Sequence, residues 1–308
     1  MKKMINATHI EGLLYDHDLQ LRESGPNSKN PGTKFIMGTV SVATDAAMTN
    51  IVNVHYTYVT TKTSTGKDDS RFTVLTNIMN GTTKTVMRDG QDNAAKIRID
   101  SAIGLNEFYS DRNGTEELVS AKRNEGGFIH LNQQISEDEK QRNTFDVDMI
   151  ITGTRRIEAN EERNLPEKMV LKGAIFDFRN SLLPVEFTVL NPHAMDYFEG
   201  LDASNRVPVF TRVKGHQISQ TVVRKITEES AFGEPSVREV TSSNRDFVVD
   251  WAAKDVYDWD DESTITVDEF KKCIADRELT VADIRKRRDE YLAQNKTPAA
   301  TTVGGFNF

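Results

Sequence analysis

The chain has 308 residues, of which 37% are hydrophobic and 28% charged, and its formal net charge is -8. No window approaches the roughly 20 apolar residues that a membrane-spanning helix requires. Proteins that coat duplex DNA by bulk attraction are usually strongly basic, so the acidic balance argues against that class. The length exceeds the usual size of one compact core, and we therefore expect two domains and an appendage.

The only cysteine is Cys273, which excludes an internal disulfide and any zinc site built from several cysteines. The first ten residues, MKKMINATHI, contain two lysines but no apolar stretch behind them, so they do not form a secretory signal. These two observations favour a protein of the reducing cytoplasm.

Motifs of known chemistry are missing from the sequence, which has no phosphate-binding glycine loop, no GxSxG and no HExxH. Asp16, His17 and Asp18 are adjacent, but consecutive side chains of a strand point to opposite faces and do not converge on one ion without a turn. We expect neither an enzyme nor a bound metal or cofactor.

Short β-type runs separated by turn-forming residues occupy the first part of the chain. The predicted strands are residues 9–14, 35–43, 51–60, 95–103 and 117–122. Residues 72–79 fit a short helix and a strand equally well. The charged, apolar-poor segment 136–143 is the predicted boundary of this first set.

A second β-rich set follows, with a helix at residues 194–201 between its third and fourth strands. Its predicted strands are residues 147–154, 169–178, 185–190, 207–214 and 247–251. Several short antiparallel strands with a helix in this place suit a small closed barrel, such as the five-stranded oligonucleotide-binding (OB) barrel. The predicted fold is therefore mainly β, with two OB-like antiparallel barrels in tandem.

The period changes to helical after the acidic run at residues 258–262. Thr266 with Glu269, and Thr280 with Asp283, have capping-box spacing and predict two helices, 267–275 and 281–294. The predicted organisation is a first barrel at 1–138, a second at 144–262, a helical pair at 263–295 and a flexible tail at 296–308. The tail ends in two aromatic residues, Phe306 and Phe308, which are candidate partner-binding residues.

The run 207–216 has two unlike faces when it is read with period two. Val207, Val209, Thr211 and Val213 fall on one side, and Phe210, Arg212, Lys214 and His216 fall on the other. Aromatic rings stack on bases and nearby cations hold phosphates, which is the combination that single-stranded nucleic acid requires. The alternative is a solvent-facing strand whose cations keep an edge soluble and whose phenylalanine packs under a loop.

Weaker patterns of the same kind occur elsewhere in both β-rich sets. Lys96 and Arg98 alternate with apolar residues in the first set, and Lys172 and Phe176 share a face in the second, where the ring could equally fill the barrel interior. The remaining candidates for nucleic-acid contact are Phe108, Tyr109, Arg155 and Arg156.

The order of these parts resembles that of single-stranded DNA-binding proteins with OB barrels, in the tandem form found in bacteriophages and mobile elements. The likeness covers roughly residues 8–251, and the strands around Lys96/Arg98 and Phe210/Arg212/Lys214 match the binding face of that family. It implies protection of single-stranded DNA, with RNA left open, in replication or recombination within a bacterial host cell. The tail resembles those that recruit replication and repair enzymes, but TTVGGFNF lacks their acidic residues.

Two other functions fit the same pattern. A structural protein of a virus particle would combine antiparallel barrels with long polar loops and an acidic surface. An adaptor would use the barrels as a rigid platform and dock a partner through residues 266–295. Assembly without nucleic acid favours the first, and loss of a partner on deletion after Glu262 favours the second.

Overall fold

The computed structural model describes residues 3–112, 115–160, 166–228, 232, 236–259 and 264–294, and this part of the chain is mainly β. Its strands are Asn6–His17 (β1), Gln20–Glu23 (β2), Lys34–Ala43 (β3), Ile51–Thr60 (β4), Lys96–Arg112 (β5), Thr115–Leu131 (β6), Asn143–Ile157 (β7), Lys168–Phe176 (β8), Leu182–Val189 (β9), Val209–Glu228 (β10) and Ser236–Ala252 (β11). Its α-helices are Ser70–Met79 (α1), Val86–Asp89 (α2), Pro192–Gly200 (α3) and Val267–Gln294 (α4). All the predicted strands are present, most of them longer than predicted.

The first set of strands closes into a ring in the order β1–β5–β6–β4–β3 and back to β1. Neighbours in this ring are antiparallel except β4 and β6, which run parallel where Val54 faces Asn124 and His55 faces Glu125. Helix α1 lies between β4 and β5 in the chain. The interior is filled by branched aliphatic side chains from every strand and by Leu75 and Ile78 of α1.

The second set closes into a ring of the same design, in the order β7–β8–β9–β11–β10 and back to β7. Its one parallel pair joins β9 and β11, where Thr188 faces Val248, and α3 lies between β9 and β10. The core contains stacked rings of Phe145 and Phe187, with centroids 5.1 Å apart, and Met195 and Phe198 of α3. The two rings therefore share one connectivity and one position for a helix.

Strand β1 of the first ring also pairs with a strand of the second ring. Its residues 13–17 pair with β3 of the first ring, while its residues 6–10 pair with β7 of the second. Because β1 also pairs with β5 along residues 8–13, backbone hydrogen bonds run without a break from one ring into the other. The result is a single sheet of eleven strands.

A cluster of buried amide side chains also joins the rings. Asn124 of β6 and Gln217 of β10 exchange side-chain hydrogen bonds of 2.8 and 3.1 Å, and both are almost fully buried. The backbone carbonyl oxygen of Gln217 accepts hydrogen bonds from the side chains of Asn143, at 2.5 Å, and Asn50, at 3.3 Å. Buried amides are costly unless they are paired, so this set of complementary groups fixes how the rings meet.

Two long hairpins extend from the rings, β5–β6 from the first and β10–β11 from the second, and each contacts the opposite ring. From the first hairpin, Lys122 donates a hydrogen bond to the carbonyl oxygen of Glu186 on β9. From the second, the backbone N–H of Ser219 donates to the side chain of Asn50 at 2.6 Å, and Asn50 forms a β-bridge with Gln220. The hairpins thus cross between the rings.

Helices α1 and α3 occupy the corresponding place in each ring. Residues 72–79, which fitted helix and strand equally, form a helix that begins after Asp69, whose side chain accepts a hydrogen bond from the backbone N–H of Arg71. The helix predicted at 194–201 is confirmed as α3, which begins after Asn191 with a proline in its first turn. Each helix is thus started by an Asx cap.

The prediction of two C-terminal helices is wrong, because one continuous helix, α4, spans both segments. The first capping box is confirmed: Thr266 N–H donates to the Glu269 carboxylate at 3.0 Å, and Glu269 N–H donates to the Thr266 hydroxyl at 3.3 Å. The second does not form, since the Thr280 hydroxyl donates to the carbonyl oxygen of Asp276, one turn earlier, at 3.0 Å. That bond is compatible with a helix interior, so the chain continues without a break. No helix in the described ranges is long and apolar enough to cross a lipid bilayer.

Helix α4 is held against both rings. Its buried Phe270 and Cys273 pack with the second ring, and Arg277 forms a two-pronged ion pair with Glu107 of β5, with only 12% and 9% of the two side chains exposed. Arg288 and Arg285 reach Glu116 of β6 further along. A buried charge is tolerated only with a well-placed partner, so the pair between Arg277 and Glu107 fixes the helix on the first hairpin.

The amide cluster predicts a strong energetic coupling between the rings. Asn124→Ala and Gln217→Ala should each lower the free energy of unfolding by about 1–3 kcal/mol, because each leaves a buried amide without its partner. The double variant should lose clearly less unfolding free energy than the sum of the losses in the two single variants, as measured by urea unfolding. Gln134→Ala, at an exposed position, is the control. Additive effects would contradict the assigned coupling.

The ion pair between Arg277 and Glu107 predicts the local stability of α4. Arg277→Ala should reduce the free energy of opening of the helix by about 3 kcal/mol, as native-state hydrogen exchange of its amides measures, since a buried carboxylate loses its partner. Arg287→Ala is the matched control, because Arg287 pairs with Asp283 on the exposed side of the same helix. That change should leave the opening free energy close to the wild-type value, because an exposed ion pair contributes little. Equal exchange in the two variants would refute the role of the buried pair.

The docking of α4 should also depend on pH. Burial works to raise the pKa of Glu107, but hydrogen bonds from Arg277 and Ser120 and the Arg277 charge hold it below its ordinary value of 4.5. A lowered folded-state pKa stabilises the fold above the ordinary value, and this contribution is lost as the pH falls below 4.5 through the folded-state pKa. The protection factors of the α4 amides, which are corrected for the pH dependence of intrinsic exchange, should fall over that range in the wild type and much less in Arg277→Ala.

Candidate nucleic-acid interface

Phe210 is buried, so the prediction that its ring faces outward to stack on a base is wrong. Only 1% of the residue is exposed, and its ring lies 4.6 Å from Tyr257 and 5.8 Å from Trp259, between centroids. The segment after β11 folds back over this face, where Tyr257 N–H donates to the Phe210 carbonyl oxygen and the Trp259 indole N–H donates to that of Pro208. The alternation of the strand placed the side chain on the correct face, but another part of the chain covers that face.

Arg212, Lys214 and His216 do point away from the ring interior, and each has an acidic partner. Arg212 makes two hydrogen bonds to Asp146, at 2.7 and 2.5 Å, and Lys214 approaches the same carboxylate at 3.4 Å. The His216 ring lies 2.6 Å from Asp250. Burial works to raise the pKa of Asp146, but the Arg212 hydrogen bond and both cationic charges hold it below its ordinary value.

Lys96 and Arg98 lie on the same continuous surface. Strand register aligns Asp100 of β5 with His9 of β1, His9 with Thr144 of β7, and Thr144 with His216 of β10. The Asp100 carboxylate lies 3.1 Å from the Arg98 guanidinium, 3.0 Å from the His9 ring and 3.5 Å from the His130 ring. We call the outer side of β5, β1, β7 and β10 the mixed-charge face, because acids and bases alternate across it.

The other predicted contact residues are scattered. Phe176 is fully buried, so its prediction as a contact residue is wrong. The barrel-filling alternative is also wrong, because Phe176 packs with Phe210 and Phe270 in a cluster outside the interior of the second ring. Arg155 is exposed, and Arg156 lies within 3.4 Å of Glu167, Asp196 and Glu199. On the first hairpin Phe108 is 45% exposed, and the Tyr109 ring lies 5.9 Å from the Arg285 guanidinium. Phe306 and Phe308 lie outside the described residues.

A groove forms where the two hairpins cross. Its central hollow of about 390 Å³ is lined by Val52, Asn53 and His55 of β4, residues 120–124 of β6, 217–219 of β10 and 245–247 of β11. A hollow of about 480 Å³ shares Asn53, Ser219 and Arg245 with it, and another of about 450 Å³ shares Ser120 and Lys122 and adds Lys172. We call these three connected hollows the inter-ring groove.

Basic side chains from both rings line this groove. Arg123 comes from the first ring, and Arg245 and Lys172 come from the second; Arg245 and Lys172 are exposed. Arg123 pairs with Glu125 at 2.7 Å, and Lys172 lies 3.5 Å from Glu186. Among the described residues, Arg245 has no carboxylate within ion-pair distance. Of the predicted site residues that the structure describes, Lys172 alone lies in the groove.

Lys122 and His55 are the half-buried bases of the groove. Burial lowers the pKa of Lys122, whose ammonium lies 5.4 Å from the ring centres of both Phe187 and Phe247 and 4.0 Å from Asp246. Burial, and then the charge of Arg123, lower the pKa of His55. Lys122 therefore acts as a contact between the rings, and His55 is most easily protonated when an anion is near.

The sequence contained only a weak signal for this groove. Lys122 ends a predicted strand and Arg123 follows it directly, but Arg245 stands alone between short polar residues and an acid. Nothing in the local pattern indicates that β6 and β11 approach each other. Within the described part of the chain, no group of three or more His, Cys, Asp and Glu side chains is placed to hold a metal ion.

Comparison with known proteins identifies the family. The YorF family model matches residues 5–287, so the chain belongs to the YorF family. A comparison with curated proteins finds no match. Among solved structures, a deletion mutant of the single-stranded DNA binding protein from Thermus aquaticus covers 85% of this chain and 100% of its own, with a TM-score of 0.45 and 8% identity. The wild-type protein from the same organism covers 75% of this chain and 98% of its own, with a TM-score of 0.37 and 10% identity.

Proposed function

We propose that this protein binds single-stranded DNA, and that its two rings are OB barrels arranged in tandem. The support is the shared connectivity: five strands, one parallel pair and a helix between the third and fourth strands in each ring. OB barrels bind oligonucleotides on the face of their second and third strands and with the loops that flank it. In this chain those strands are β3–β4 and β8–β9, and the division near residue 140 is part of the proposal.

The observation that carries the proposal is the position of the inter-ring groove. It lies against β4 in the first ring and against β8–β9 in the second, and the hairpins between the fourth and fifth strands form its walls. The groove therefore connects the two surfaces on which OB barrels bind oligonucleotides. Arg123, Arg245 and Lys172 place positive charge along it, although the whole chain is acidic.

Phosphates are the part of the ligand that this groove suits best. Arginine guanidinium groups can make paired hydrogen bonds to phosphate oxygens, and lysine supplies a point charge. The aromatic side chain that lines the central hollow, Phe247, is 7% exposed and is not available for stacking. Contacts of this type track the backbone, so we expect little sequence preference.

The mixed-charge face is a poorer site for the same ligand. A phosphate that approached Arg212 would have to compete with Asp146, which already holds it through two hydrogen bonds. The carboxylates Asp100, Asp146 and Asp250 would also repel a polyanion at close range. The groove and this face can be separated by experiment.

The proposed role is to coat and protect single-stranded DNA during replication or recombination of a bacteriophage or mobile element. This role needs affinity without sequence choice, which backbone contacts in a preformed groove provide. The preference between DNA and RNA is set by contacts with the 2′-hydroxyl, so matched oligonucleotides of both types belong in the same titration.

Substitution of exposed groove cations tests the proposal. Arg245→Ala combined with Lys172→Ala should weaken binding of a labelled oligonucleotide and make the slope of log affinity against log salt shallower by about 1.4, or about 0.7 for each lost phosphate contact. Arg212→Ala with Lys214→Ala is the matched control on the mixed-charge face and should leave the slope unchanged. The reverse result would assign binding to that face, and a wild type that binds no oligonucleotide at low salt would refute the function.

A further inference from the structure

A second large hollow lies on the other side of the contact between β4 and β6. It has a volume of about 520 Å³, and we call it the α4 cleft because residues 273–280 of that helix form one wall. The end of β4 forms another wall, the turn between β8 and β9 a third, and Ile103 and Leu105 of β5 lie at its floor. It thus joins the first ring, the second ring and the helix.

An exposed aromatic side chain lies on the wall that the second ring of strands forms. Phe178 lies in the turn between β8 and β9 and is 75% exposed, although burial of such an apolar side chain would stabilise the fold. The turn is rigid: the Asp177 side chain accepts hydrogen bonds from Arg179 N–H at 2.8 Å and Ser181 N–H at 2.7 Å, and Asn180 has a left-handed φ of 62°. The backbone therefore holds the ring out at the cleft.

A second exposed aromatic side chain lies on the wall that the first ring of strands forms. Tyr58 of β4 is 48% exposed, and its ring centre lies 4.5 Å from that of Phe35. Its hydroxyl lies 3.2 Å from the Ser24 hydroxyl. One face of Tyr58 is therefore supported by protein contacts, and the residue lines the cleft with the rest.

The charges around the cleft favour an anionic ligand with a flat group. The Arg179 guanidinium lies 5.0 Å from the Phe178 ring centre and has no carboxylate partner among the residues that the structure describes. Three of the four carboxylates in the lining are already engaged: Glu107 by Arg277, Glu125 by Arg123, and Asp177 by the backbone of its own turn. The fourth, Asp276, lies on the α4 wall. The cation nearest the exposed ring is thus available to a phosphate.

The cleft continues the path of the inter-ring groove. The two are separated by the short parallel contact in which His55 faces Glu125, with His55 lining the groove and Tyr58 lining the cleft. Along an extended strand these two residues are about 10 Å apart. A nucleic-acid strand held by its phosphates in the groove can therefore reach the cleft without leaving the surface of β4.

We propose that the α4 cleft receives an unpaired nucleobase of the bound strand, with Phe178 and Tyr58 as stacking rings and Arg179 as a phosphate contact. This inference rests on the proposed function and supplies the aromatic surface that the groove lacks. The two aromatic side chains and the apolar floor suit a nucleobase, and the unpaired cation suits its phosphate. Each base that stacks on an aromatic side chain contributes about 1–3 kcal/mol to binding.

Position-specific fluorescence tests the assignment. Oligonucleotides carrying one 2-aminopurine at successive positions should show one position whose emission changes strongly on binding to the wild type. Phe178→Ala should abolish that change and lower affinity about 5- to 150-fold with an unchanged salt slope, because it removes stacking and no charge. Phe178→Tyr should restore both. Phe128→Ala is the matched control, since it removes a phenylalanine ring that is 56% exposed and that lines neither the cleft nor the groove.

The outcomes separate this inference from the function on which it rests. If the wild type binds the oligonucleotides and Phe178→Ala matches it in affinity and emission, the cleft assignment is refuted while DNA binding by the groove stands. If the wild type binds none of them, both fail. Free 2-aminopurine nucleotide should show no emission change at the same concentration, and binding as tight as that of the oligonucleotide would overturn the assignment to a strand.

Discussion

The arrangement of the whole molecule depends on one strand, β1, that joins two closed rings of strands by pairing with members of both. The hydrogen bonds of β1 are divided among β3, β5 and β7, so neither ring can move as a unit without breaking backbone pairing. The amides of Asn124 and Gln217 add a second constraint at some distance from β1, because each satisfies the other in a buried site. With both constraints in place, the groove and the cleft have fixed walls and are formed before any ligand arrives.

Much of this architecture was predictable because it follows from short-range rules. Alternation of apolar and polar residues located the strands, and Thr266 with Glu269 located the start of α4. The second capping signal failed because Thr280 can bond to the carbonyl oxygen of Asp276 within a helix as readily as it can begin one. A local signal thus has two structural solutions, and only the packing of Arg277 against Glu107 shows which is used.

The site was harder to predict than the fold, because its residues meet through tertiary contacts. Period two correctly separated the two sides of the strand around Arg212, but it could not show that Tyr257 and Trp259 would cover Phe210. Nor could it show that Lys122 and Arg245 approach each other, since they lie on hairpins of different rings. The predicted cations are on the surface as expected, and acids from neighbouring strands, which the sequence does not align, partner them.

The sharing of β1 bears on how this chain can be divided. A fragment that ended near residue 138 would retain β1 without β7, leaving the N–H and C=O groups of residues 6–10 as an open edge. The complementary fragment would have the same defect along β7, and Gln217 would lose the amide of Asn124. Exposed edges of this kind recruit other chains, so each half made alone would tend to aggregate. The two rings are therefore separable in topology, but we expect neither to be an independent folding unit.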